Sequence, residues 1–214
     1  QKVLIKNGIP GQKVRFMIQK KRAGRAQGRI LEVLEKSSQE TREPVCSNFP
    51  VCGGCMYQTM SYENQLKMKE TQIRELLENA LIQGGQTDAE GRANFEWEGI
   101  HGSPIEFGYR NKMEFSFGDE FKDGPMTLGM HKRGSFYDIV TVDRCVLVHP
   151  DCCKILRATL DYFTEHGAVF YKKMAHVGYL RHLLVRRGVK TGEILVDLVT
   201  STQTEGTWKS EQNE

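Results

Sequence analysis

Cys46, Cys52 and Cys55 fall within ten residues at the spacing C-x5-C-x2-C, with Pro50 and the Gly53-Gly54 pair between them. Glycine and proline interrupt helices and strands, so this segment is predicted to be a loop. Glycines between close thiols let the backbone curl until several sulfurs face one centre. Two thiols suffice for a disulfide; three that converge point to a metal or cluster in need of a fourth ligand. Cys145, in Val142-Asp143-Arg144-Cys145, is the candidate fourth, expected to end a hairpin strand and so to aim its sulfur from a rigid place. Cys152 and Cys153 are the alternatives, and vicinal thiols are more often ordinary buried or surface residues.

A structural zinc site normally draws on two local C-x2-C knuckles. Here one half is an unequal triplet, and Cys145 lies 90 residues beyond Cys55. A cubane tolerates that arrangement because each iron takes one thiolate and the corners are well separated. Spacing therefore favours an iron–sulfur cluster over zinc. A radical S-adenosylmethionine enzyme would use C-x3-C-x2-C and leave one iron open. The longer first gap and the available fourth thiol read instead as a closed cluster with a structural or redox-tuning role.

Composition supports ligation over a disulfide framework. Six cysteines in 214 residues, of which 27% are charged, do not resemble the short secreted chains that depend on disulfides. The six histidines show no zinc-like pairing. No apolar run reaches transmembrane length and no charged-then-apolar leader is present, so a cytoplasmic protein with no membrane partner is expected. The chain opens without Met, which suggests trimming.

Charge is unevenly spread. Residues 1–36 hold ten Lys and Arg against Glu32 and Glu35, a balance of +8, which leaves −5 for the rest of a chain of net charge +3. Such a block is the usual electrostatic footprint of a nucleic-acid partner, although lysines also guard exposed sheet edges.

In chain order, Val3–Ile5, Val14–Ile18 and Gly28–Leu34 read as strands, with a turn at Gly8–Gly11 and a basic loop at Lys20, Lys21, Arg22 and Arg25. A small antiparallel barrel of OB type fits, short by a leading strand. Ser61 to about Ile82 is the best helix, capped by Ser61 and ended by Gly84-Gly85, its apolar stripe expected to face a core. Residues 83–94 are Gly-rich and polar. From about residue 95 the chain turns β-rich: 110–117 alternates with Met113, Phe115 and Phe117 on one face, and 126–130 and 135–142 flank a turn at His131–Gly134. A helix over 150–166 and strands over 178–187 and 193–200 follow, before a polar tail.

The string Cys46-x5-Cys52-Gly53-Gly54-Cys55-x2-Gln58-x3-Tyr62-x2-Gln65-Leu66-x2-Lys69 resembles the signature of the RNA uracil-5-methyltransferases. Gly108-Tyr109-Arg110-Asn111-Lys112 and Val142-Asp143-Arg144-Cys145 match later landmarks, and the basic barrel resembles the TRAM domain. The resemblance implies a fold that is α+β and mainly β. It divides into an incomplete TRAM-like barrel (1–42), a cysteine loop (43–58), a helix and connection (59–94), an antiparallel β-rich RNA-binding domain (95–200) and a tail (201–214). It also implies a 4Fe-4S cluster on Cys46, Cys52, Cys55 and Cys145. The ribosomal RNA branch, acting on 23S RNA, fits better than the transfer RNA branch, which by resemblance lacks TRAM and cluster.

Family members continue into a Rossmann-like domain that carries the S-adenosylmethionine loop, a nucleophilic Cys and a base. No Gly-rich strand-to-helix loop is found here, so the chain is expected to be an N-terminal portion, monomeric and inactive alone. In the parent enzyme, the resemblance implies, a thiolate adds to C6 of uracil and C5 takes the methyl group from S-adenosylmethionine. A base then removes the C5 proton and the enzyme is eliminated. RNA-contact candidates are Lys20, Lys21, Arg22, Arg25, Arg110, Lys112, His131, Lys132 and Arg133, with Arg181, Arg186 and Arg187 weaker. Each also reads as a solvated surface charge. The competing interpretation is a zinc-binding RNA-binding module with no enzymatic activity.

Overall fold

Alternation of Met113, Phe115 and Phe117 with polar neighbours produces the central strand of the larger of two sheets. The structure, a computed structural model, describes residues 3–203. Lys2 and most of the expected tail, 204–214, therefore lie outside the described residues. Contacts divide the chain into two units: residues 1–43 with 57–104, and 44–56 with 105 onward.

In the first unit, β1 (Val3–Lys6), β2 (Lys13–Arg22) and β3 (Arg25–Glu35) form a sheet in the order β1-β3-β2. β2 is antiparallel to β3, but β1 runs parallel to it, which corrects the all-antiparallel expectation. The chain reverses between β1 and β2, and β3 then inserts between them, so its outer neighbour must run the same way as itself. The expected basic loop is also corrected. Ala23 (φ 47) and Gly24 (φ 73) make a two-residue turn of the kind that matches strand twist. Lys20, Lys21 and Arg22 thus end one strand, and Arg25, which pairs with Arg22, begins the next.

α1 (Tyr62–Gln83) starts at Ser61, whose Oγ accepts the Asn64 N–H at 3.2 Å, and ends at Gly84. Its apolar stripe was expected to face a core. Among the described residues Met68 is the buried one, while Leu76 is 66% exposed and Ile73, Leu77 and Ile82 are exposed too. Periodicity fixes which side of a helix is apolar, not what covers it. Residues 95–104 run back along the helix start: Trp97 donates to Glu70 at 2.7 Å, and the Ser103 N–H to the Tyr62 hydroxyl at 2.6 Å.

In the second unit, β4 (Lys112–Asp119), β5 (Met126–His131), β6 (Ile139–Thr141), β7 (Leu180–Arg187) and β8 (Ile194–Thr200) form an antiparallel sheet in the order β6-β5-β4-β7-β8. α2 (Pro150–Glu165) buries Cys152, Cys153, Leu156, Leu160 and Phe163 in the core that holds Met113, Phe115 and Phe117. The Phe117 and Phe163 rings meet edge-on at 6.1 Å. The described residues are mainly β, and none of their helices is long and apolar enough to cross a membrane.

Candidate metal centre and nucleic-acid interface

The cysteine segment is fastened to the turn between β5 and β6 by backbone hydrogen bonds. Gly53 N–H donates to the His131 carbonyl at 2.9 Å, Arg133 N–H donates to that of Val51 at 2.8 Å, and Cys52 and Lys132 form an antiparallel bridge. Gly53 suits this close approach, since a Cβ would sit a tight 3.0 Å from the His131 oxygen. Cys145 follows β6 by four residues, in the turns that lead to α2, where its N–H donates to the Val142 carbonyl at 3.2 Å. It was expected at a strand end; the shorter β6 moves it into a turn still anchored by backbone.

All six cysteines are free. Burial raises the Cys52 thiol above its usual value; the Gly54 N–H lowers it, and Cys55 and Cys46 add to the rise. Burial pushes Cys145 up to about 11, the Leu147 N–H opposes, and Cys153, Cys46 and Cys55 raise it further. Cys46 and Cys55 thus act on both Cys52 and Cys145, and Cys153 acts on Cys145 as well. Among the described residues, however, no three His, Cys, Asp or Glu side chains are gathered closely enough to hold a single metal ion. Cys152 and Cys153 are buried on α2, in the core.

Arg133 was read as an RNA contact, but the fold turns it inward. Its guanidinium donates to the Cys55 carbonyl oxygen and lies 5.3 Å from the centre of the Phe49 ring. Its Nε is buried without a hydrogen-bond partner. Burial disfavours its charge, and the Cys52 and Cys55 thiols favour it. Lys132 is likewise engaged, with the Glu120 carbonyl at 2.8 Å and the Glu120 carboxylate at 3.3 Å. His131 is partly buried, and desolvation with Lys173 nearby lowers its pKa, so the ring is neutral at pH 7. Sequence reading missed this docking of the turn onto the cysteine loop; the signal was Gly53 beside Cys52, a place cleared for close backbone approach.

The remaining basic candidates are on the surface. Lys20, Lys21, Arg22 and Arg25 are exposed at the β2–β3 turn, and Arg22 directly opposes Arg25, a like-charge pair that favours an anion between them. Arg110 bonds the Lys112 carbonyl through Nε at 3.3 Å, and the Lys112 ammonium lies 3.9 Å from Glu114.

No family model matches the chain. An uncharacterized RNA methyltransferase of Caldanaerobacter subterraneus is 45% identical over 93% of the chain and 42% of its own length. Another, of Clostridium tetani, is 45% identical over 94% of the chain, and one of Clostridium acetobutylicum is 42% identical over 95%. The likeness is to RNA methyltransferases. The chain spans about 42% of the length of these curated relatives. Among solved structures, a Pyrococcus abyssi tRNA (uracil-54, C5)-methyltransferase in complex with S-adenosyl-L-homocysteine matches 99% of the chain and 44% of its own, with TM-score 0.64 at 23% identity. That match concerns the fold.

Proposed function

We propose that this chain is the RNA-gripping, cluster-bearing portion of an S-adenosylmethionine-dependent uracil-C5 methyltransferase of ribosomal RNA. The observation that carries the reading is that Cys46 and Cys55 lie within electrostatic reach of both Cys52 and Cys145, with the half-buried Arg133 bonded to the Cys55 carbonyl, in a chain 45% identical to a protein named an RNA methyltransferase. An all-thiolate donor set suits iron–sulfur ligation. The unpartnered Arg133 Nε favours a net negative group among those sulfurs. A single zinc ion, with sulfur at about 2.3 Å, demands tighter convergence than a cluster whose irons each take one thiolate.

Cys46, Cys52, Cys55 and Cys145 would hold a 4Fe-4S cluster, which would tie the cysteine loop to the β6–α2 turn. Ligation requires thiolates, so loading would release protons, among them those that burial favours on Cys52 and Cys145. The exposed basic turn of β2 and β3, with Arg110 and Lys112, would contact phosphates. Such grip helps offset the few kcal/mol needed to unstack a target uracil.

Anaerobically purified protein should be brown and yield about four irons per chain, as a 4Fe-4S cluster requires. Colourless protein with about one zinc per chain would establish the zinc module instead.

A further inference from the structure

A cavity of about 420 Å³ in the second unit has no cysteine in its lining. Phe136, Tyr137, Phe170, Tyr171 and Met174 line it. Phe136 is 84% exposed and Met174 78%, and with Tyr137 they form a contiguous apolar patch of the kind that marks binding sites. The two aromatic pairs come from separate turns, one after β5 and one before β7, and a Tyr137 hydroxyl contact with the Met174 sulfur at 3.6 Å joins them. Arg181 lies 4.8 Å from the centre of the Tyr171 ring.

The polar lining narrows the choice of occupant. Lys122, Lys172 and Lys173 stand against Asp119, Asp123 and Asp138, so the wall is close to neutral, and Lys172 is paired with Asp123 at 3.2 Å. A phosphate string would favour a wall of one sign. A flat ring with a hydrogen-bonding edge fits aromatic faces flanked by carboxylates, because exposed bases stack on aromatics and Asp accepts from exocyclic amines. Lys122 and Lys173, at the same wall, stand near enough to attract the backbone on either side of such a base.

We infer that this aromatic slot holds one unstacked, amine-bearing base of single-stranded RNA, a base other than the uracil to be modified. The inference rests on the RNA reading above and adds a specific subsite to it. Uracil carries the O4 oxygen where cytosine and adenine carry an amine, so it offers Asp119 and Asp138 an acceptor at that edge and only its single N3–H as donor.

Fluorescence anisotropy of the anaerobically purified chain with labelled RNA decamers tests the assignment. Oligo(A) and oligo(C) should bind several-fold more tightly than oligo(U), and Phe136→Ala should weaken oligo(A) by about tenfold, the typical worth of one stacked base. Phe136 is so exposed that its loss leaves the fold intact, which circular dichroism checks. Wild-type binding that Phe136→Ala and Tyr137→Ala both leave unchanged would overturn the slot while leaving the RNA reading in place. No binding of any decamer would overturn both. Displacement of oligo(A) by adenosine monophosphate at equal concentration would make this a free-nucleotide site and defeat the assignment to RNA.

Discussion

Arg133 shows how a single side chain changes meaning once its surroundings are known. In sequence it is the third of three basic residues at a turn; in the fold its guanidinium is half-buried between Phe49 and the cysteine segment, with Nε unpartnered. A charge in that position is costly unless an opposite one faces it. Arg133→Met keeps the length and removes the charge. Beside the proposed cluster Arg133 would be an outer partner of its ligands, and such partners typically set affinity by about tenfold or more. The variant should therefore lose its visible iron–sulfur absorbance about tenfold faster on exposure to air, while far-ultraviolet circular dichroism stays unchanged. Equal rates would remove Arg133 from any role at the centre.

Between elements, Glu40 is the tie that sequence did not reveal. Its carboxylate accepts from Gln12 at 2.7 Å, from the Ser37 N–H at 2.9 Å and from the Thr59 hydroxyl at 2.8 Å, joining the end of the small sheet to the approach of α1. Burial raises its pKa, but these hydrogen bonds and Lys36 outweigh it and hold the carboxyl below its usual value. A lowered folded-state pKa means stability that is present at neutral pH and lost as pH falls through that value. Glu40→Gln should cost about 1 kcal/mol in urea unfolding at pH 7, after allowance for solvent screening. The deficit should shrink as pH falls through and below the ordinary carboxylate range, where the wild-type carboxylate also protonates. A deficit independent of pH would refute the charge-based account. Local pattern did disclose much at this scale. Ser61 and Gly84 bound α1, and Met113, Phe115 and Phe117 share the buried face of β4. What it could not disclose are contacts between distant segments. The bridge of Cys52 to Lys132 depends on tertiary approach, as do the parallel run of β1 beside β3 and the exposure of Leu76 on a helix with a sound amphipathic pattern.

Across the molecule, charge separation is the property most open to measurement. The basic turn at Lys20, Lys21, Arg22 and Arg25 is exposed, and like charges face each other across it. Affinity for single-stranded RNA should fall steeply between about 50 and 200 mM salt, and a Lys20→Ala, Lys21→Ala, Arg22→Ala triple variant should flatten the dependence by about two units of slope. An unchanged slope would place the phosphate contacts elsewhere. The candidate metal ligands could be proposed from spacing, since thiols at C-x5-C-x2-C are rare enough to stand out. The aromatic slot could not, because Phe136-Tyr137 and Phe170-Tyr171 are ordinary doublets until two turns bring them together.

The division of the chain also bears on its biosynthesis. Residues 44–56 associate with the second unit, although the segments on either side of them associate with the first. A ribosome therefore delivers three of the sulfurs long before the strands that receive them. The nascent loop can make its hydrogen bonds to the β5–β6 turn only after that turn has emerged from the exit tunnel. A cut at 56 or 57 would part each unit from some of its own residues.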